Sequence, residues 1–108
     1  MFNKQNEQGF QLHIEGITRK TLVYGEKTVL AQFRLKKGSV VPHHAHPYEQ
    51  TGYILHGKIR FWEAGNEVIV DDGDSWCFNA NVEHAADILE DSVIIELFSP
   101  VREDFLPC

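Results

Sequence analysis

From Phe10 onward the chain runs as short stretches in which apolar and polar residues alternate, each closed by turn-forming residues. A period of two marks a half-buried strand, because successive side chains point to opposite faces. QLHIE ends at Gly16, and ITRKTLVY ends at Gly25, with GEK as the turn. TVLAQFRL follows, with Val29, Ala31, Phe33 and Leu35 on one parity, and KKG closes it. After the segment Gly38–Gly57 come KIRFWE, EVIV, SWCF, AADIL and SVIIELF, with AGN and DDGD among the connections. No segment carries a long apolar stripe at helical spacing. Short strands at this spacing predict an all-β sandwich or barrel in a single domain over residues 1–108. Residues 1–9 read as an arm, loose or lying on a partner, and 99–108 as a C-terminal tail.

The same alternation sorts side chains by face. Phe33, Phe61, Trp76 and Phe78 are expected in the core, and Cys77 as a small buried apolar residue. Tyr53 and Leu55 alternate away from Gln50 and Ile54, so they fall on the exterior, where large apolar groups suit a homodimer interface. His13 and His56 read as surface residues.

Charge narrows the partners. Sixteen Asp and Glu stand against 10 Lys and Arg, a net charge of −6. That balance argues against nucleic acid and anionic membranes as partners. It does not oppose an anionic small molecule, since a bound metal brings its own positive charge. No apolar run approaches the length of a membrane span, and Met1–Gly9 is polar, so the expected location is cytoplasmic. Cys77 and Cys108 make neither a disulfide framework nor a paired metal motif. Asp71, Asp72 and Asp74 form a turn cluster without the ligand spacing of a calcium loop.

The chemistry concentrates in GSVVPHHAHPYEQTGYILHG, Gly38 to Gly57. On a strand, His44, His46 and Gln50 share one parity, while His43 and Glu49 have the other. Imidazoles suit divalent transition metals, and an amide oxygen can join such a set. A distant fourth ligand is expected, with His84 as the candidate. The rival reading is an exposed polar patch at a bend, since Pro42 and Pro47 both interrupt regular structure. In VIIELF, Val93, Ile95 and Leu97 form one face and Ile94, Glu96 and Phe98 the other. If the second face turns inward, the Glu96 carboxyl is desolvated, its pKa rises and it becomes a proton carrier. If not, Glu96 sits at a solvated mouth, and Arg102 makes a surface ion pair of little energetic consequence.

These residues resemble the two motifs of the cupin superfamily. The first is a glycine, five residues, His-x-His, three residues, an acidic ligand, six residues and a glycine. Gly38, His44, His46, Gln50 and Gly57 match every spacing. In the second, Gly73 and His84 keep the spacing, while Asn79 replaces a proline and Asn81 a glycine. Asn tolerates the left-handed backbone that glycine supplies. The resemblance implies a jelly-roll (double-stranded β-helix) barrel. It also implies one divalent transition metal, such as Ni, Zn, Fe or Mn, held by His44, His46, Gln50 and His84. Most metal cupins carry Glu where this chain has Gln50. The neutral amide leaves the site more positive, which favours gripping and polarising a substrate. The rival to a metal-holding cupin is one that has lost its metal.

HAHPYEQTGYILHG together with ELFSPVREDFL also resembles the KdgF family of small cupins, which open the ring of 4,5-unsaturated monouronates. That family has Gln as its third protein ligand. It also uses an Asp, a Phe two residues on and an Arg four beyond, positions that fall on Glu96, Phe98 and Arg102. The acid here is one methylene longer. The resemblance implies an enzyme acting on an anionic sugar, with Glu96 moving a proton, Arg102 holding the substrate carboxylate and Phe98 shaping the wall. Two rivals are a cupin oxygenase using a redox metal, separable by oxygen consumption, and a non-catalytic metabolite-binding cupin, separable by turnover.

Overall fold

The computed structural model describes residues 1–106; Cys108 lies outside the described residues. Eight strands follow in order: β1 (Gln11–Ile14), β2 (Ile17–Tyr24), β3 (Val29–Leu35), β4 (Val40–His44), β5 (Glu49–Glu63), β6 (Asn66–Asp71), β7 (Ser75–Phe78) and β8 (His84–Ser99). Among the described residues one 3-10 turn, Glu103–Phe105, follows them. No helix among the described residues is long and apolar enough to cross a membrane.

Two long strands organise the shell. In one half of the shell, β8 pairs β3 through Ser92–Phe98 and β5 through its first residues, and β7 adds to β5 over Gln50–Tyr53. In the other half, β5 takes β6 over Lys58–Glu63, while β8 takes β4 near His84–Asp87. The strands β5 and β8 therefore run through both sheets of a jelly roll. The ladder path is open, with β1 at one end and β6 at the other, and apolar side chains fill the space between.

This corrects the segmentation read from the pattern. Gly57 is not a turn: β5 passes straight through it, with register shifts between Ile54 and Ile59. At Gly57 φ is 122°, and a side chain would overlap Ser92 on β8, so only glycine lets the two strands close here. AADIL and SVIIELF are likewise one strand, β8.

The face assignments hold where alternation is unbroken. Val29, Ala31, Phe33 and Leu35 are buried, as are Ile94, Glu96 and Phe98. Fully burying one such Ile contributes about 1.5–3 kcal/mol. Two assignments fail. Cys77 is exposed, because β7 turns Trp76 and Phe78 inward and leaves its neighbours outside. His13 is half-buried against Phe33 and Phe105, because a register shift between Leu12 and Ile14 breaks the alternation of β1 and leaves Leu12 outside.

Segments near both ends of the described residues lie on the chain's own shell. The Asn3 side-chain amide donates to the Leu22 carbonyl at 2.8 Å, Lys20 Nζ donates to the Asn6 carbonyl at 2.9 Å, and Glu7 pairs with Arg34. At the other end Phe105 is buried, packed edge-on to Phe98 with ring centroids 5.1 Å apart.

Candidate metal centre

Three connections bring the centre together. His44 ends β4, His46 lies in the turn 45–48 and Gln50 is the second residue of β5. The three are therefore not on one strand face, as their spacing implied; Pro47 lies in the turn that divides them. His84 opens β8 directly across from His44 in the β4–β8 ladder. The Asn81 N–H donates to the His46 carbonyl at 2.7 Å, which ties the turn carrying His46 to the loop leading into His84. Asn81 itself has φ 67°, the left-handed conformation expected where it replaces glycine.

The result is a cluster in which one ring nitrogen from each of His44, His46 and His84 lies within 4.8 Å of the others. Two metal–imidazole bonds of about 2.1 Å span at most about 4.2 Å, so small ring movements would place all three on one ion. Their tautomers follow from their partners. Nδ1 of His44 lies 2.8 Å from the Pro42 carbonyl, Nδ1 of His46 3.0 Å from the Tyr48 carbonyl, and Nδ1 of His84 2.9 Å from the Val82 carbonyl. A carbonyl only accepts, so each Nδ1 carries the hydrogen and each Nε2 presents a lone pair. This is the anchoring that metal-binding imidazoles require.

Two further contacts fit a cation. Nε2 of His84 is buried and has no hydrogen-bond partner. Nε2 of His46 lies 2.9 Å from Oε1 of Gln50, and with Nδ1 protonated both atoms are acceptors with no hydrogen to share. A positive ion satisfies all of these lone pairs together. Burial also lowers the pKa of His46 and His84, which keeps them neutral and able to ligate.

Behind Gln50 lies Glu96, only 5% exposed. Its carboxylate accepts from the Gln50 amide and, at 3.0 Å, from the Trp76 indole N–H. Burial drives the Glu96 pKa upward, against the opposing pull of these two donors and of Arg102. His13, His44, Gln50, His84, Glu96 and Arg102 line one cavity, whose remaining walls are apolar, Phe98 among them. Arg102 is oriented by Asp104 at 2.9 Å and stacks over Phe105 at 4.1 Å from the ring centroid.

Two residues that meet here, Trp76 and His13, are not marked by the motif spacing. Trp76 reads most simply as core, or as one of several aromatics able to line a sugar pocket, and its N–H is spent on Glu96. His13 was expected at the surface; its signal was hidden by the shift in β1.

A family model described as a cupin domain matches residues 31–99. The pectin degradation protein KdgF of Dickeya dadantii (strain 3937) is 31% identical over 94 residues, covering 85% of this chain and 86% of that protein. The solved structure of KdgF from Halomonas sp. superposes with a TM-score of 0.92 at 30% identity, covering 98% of this chain and 100% of that one. An RmlC-like cupin from Shewanella frigidimarina NCIMB 400 gives a TM-score of 0.90 at 27% identity, covering 96% and 95%. Fold, motifs and relatives agree: the chain belongs to the cupin superfamily and, within it, to the KdgF family of small cupins.

Proposed function

We propose that this protein is a metal-dependent enzyme that opens the ring of a 4,5-unsaturated monouronate and carries it to the linear keto acid. The observation that carries the reading is a buried carboxyl, Glu96, facing the same cavity as His44, His84 and the Arg102 guanidinium. The Dickeya relative is named for the degradation of pectin, a polyuronate, which points to the same substrate class.

The residues divide the work. His44, His46, Gln50 and His84 would hold one divalent transition metal; Ni, Zn, Fe and Mn all suit imidazole and amide ligands. When bound, such an ion supplies Lewis-acid polarisation of a substrate oxygen. Arg102, braced by Asp104 and stacked on Phe105, offers a fixed fork for a carboxylate. Phe98 closes the wall beneath it, its ring 5.0 Å from the guanidinium.

Ring opening is a relocation of protons. The hemiacetal hydroxyl at C1 gives its proton to a base and becomes the C1 carbonyl, the bond from C1 to the ring oxygen breaks, and that oxygen leaves as an enolate at C5. The enolate then takes that proton at C4, which leaves a ketone at C5. Nothing is oxidised and nothing is added. Glu96, with its pKa raised by burial, can accept the first proton and return one to C4. The cavity's apolar walls keep bulk water from competing for it.

The test is incubation with a 4,5-unsaturated uronate while the absorbance of its conjugated double bond is followed. Metal-loaded protein should remove the absorbance, and chelation should stop it. Absorbance that persists with every candidate metal would overturn the assignment.

A further inference from the structure

Trp76, Gly52 and Glu96 sit in one row across three strands. Gly52 of β5 pairs with Trp76 of β7 on one side and with Glu96 of β8 on the other. Any side chain at Gly52 would overlap the indole, at Nε1 among other atoms. The indole therefore reaches across the bare backbone of Gly52 and donates to Oε2 of Glu96 at 3.0 Å. Gln50 lies on the same face, two residues earlier on β5, and its amide nitrogen donates to that same oxygen. Oε2 thus receives two N–H groups, and neither of them reaches Oε1.

We propose that Glu96, fixed by Trp76, is the residue that sets the orientation of the Gln50 amide, and that it thereby prepares the fourth metal ligand. The chain of contacts has a direction. An amide has one donor end and one acceptor end. With the nitrogen bound to Glu96, the oxygen must face His46, where it lies 2.9 Å from Nε2. Turned over, the amide would present its oxygen to the carboxylate and its nitrogen to the imidazoles, and it could not ligate a cation. Trp76 disfavours that arrangement, because its N–H holds Oε2 in the role of an acceptor. The pairing also accounts for Gln rather than Glu at position 50. A carboxyl group there would meet the Glu96 carboxyl at hydrogen-bond distance and could keep that contact only by holding a proton between them.

This inference rests on the metal reading of the site, and it separates two roles of one residue. Moving a proton requires a titratable group at position 96, whereas orienting Gln50 requires only an acceptor there. Glu96→Gln keeps the acceptor: its carbonyl oxygen can take both N–H groups, and its own nitrogen occupies the place of Oε1. Glu96→Leu keeps the approximate bulk and removes the acceptor. Trp76→Phe keeps the ring over Gly52 and removes one donor.

The experiment is a zinc titration of the apoprotein against a competing chromophoric chelator, with no substrate present. Outer partners of metal ligands typically influence affinity by about 10- to 100-fold. Glu96→Gln should bind zinc within about threefold of the unaltered protein, and Glu96→Leu should bind it at least about tenfold more weakly, with Trp76→Phe between them. Equal affinity for Glu96→Leu and the unaltered protein, or equal weakening in both Glu96 variants, would overturn the proposal. The apoprotein gives a second readout. In nitrogen-15 spectra, the Gln50 side-chain amide should be protected from exchange in the unaltered protein and in Glu96→Gln, and should lose that protection in Glu96→Leu. Protection that follows this pattern without any zinc binding supports the orienting role and sinks the metal reading. Protection that ignores the Glu96 substitutions sinks the orienting role, whatever zinc does.

Discussion

Two buried clusters share this small shell and obey different rules. One is apolar: Ile17, Val29, Ile54, Ile59 and Ile88 are almost wholly removed from water. The other is polar: Gln50 is 7% exposed, Glu96 5% and His84 4%. The apolar cluster needs volume and shape, and conservative changes cost it little. The polar cluster needs a partner for each atom, since an unpaired buried polar group costs about 1–3 kcal/mol. Its members are supplied by His84 at the start of β8, Glu96 near its end, and the turn and strand that carry His46 and Gln50. The apolar cluster therefore determines that the shell forms, and the polar cluster determines what the shell can do.

The sharpest way to break this contrast is Glu96→Gln. It preserves shape and hydrogen bonds, so thermal stability should change little while turnover of the uronate falls by roughly 10²- to 10⁴-fold, the usual contribution of a positioned acid–base group. Turnover within a few-fold of the unaltered protein would remove Glu96 from the proton path.

The reverse experiment is Ile54→Ala in the fully buried apolar cluster. Unfolding free energy should fall by about 2–5 kcal/mol, while turnover per folded molecule stays near normal. A loss of turnover without a loss of stability would mean that the two clusters are not separable.

Arg102→Lys is expected to be milder. It keeps the charge and loses the planar fork, so KM should rise about tenfold with kcat less affected. Initial rates over a range of substrate concentrations would show whether the effect falls on kcat instead.

His13 should give the smallest effect. Burial, then the nearby Arg19 and Arg102, hold its pKa below the ordinary histidine value, with Asp104 opposing them. The folded protein therefore binds fewer protons at this residue than the unfolded chain once pH falls below about 6.5. The stability tied to neutral His13 is complete above that pH and is lost as pH falls through the depressed pKa. In His13→Gln the acid-side fall in Tm should be shallower than in the unaltered apoprotein. Parallel curves would mean that His13 is not desolvated.

Much of this was legible in the residues. The period-two pattern gave the bounds of β2 and the inward face of β3, because those strands are regular apart from one register shift in β2. Motif spacing pointed to His44, His46, Gln50 and His84, which the fold brings side by side, with the left-handed Asn81 in the loop that leads into His84. Other features were not legible. Strands β5 and β8 appeared broken in the pattern, because bulges interrupt alternation just as turns do. His13 was hidden by the same effect in β1. The role of Trp76 depends on its register opposite Gly52, which no local pattern states. Cys77 was misjudged although the rule was available: in SWCF the large Trp76 and Phe78 claim the inner face.

His44, His46, Gln50 and His84 should hold one ion among them. Elemental analysis after reconstitution and gel filtration tests it directly, with the unaltered protein and His84→Ala measured side by side. About one divalent transition metal per chain is expected in the first and almost none in the second. Equal metal content in the two proteins, or a negligible amount in the unaltered one, would contradict it.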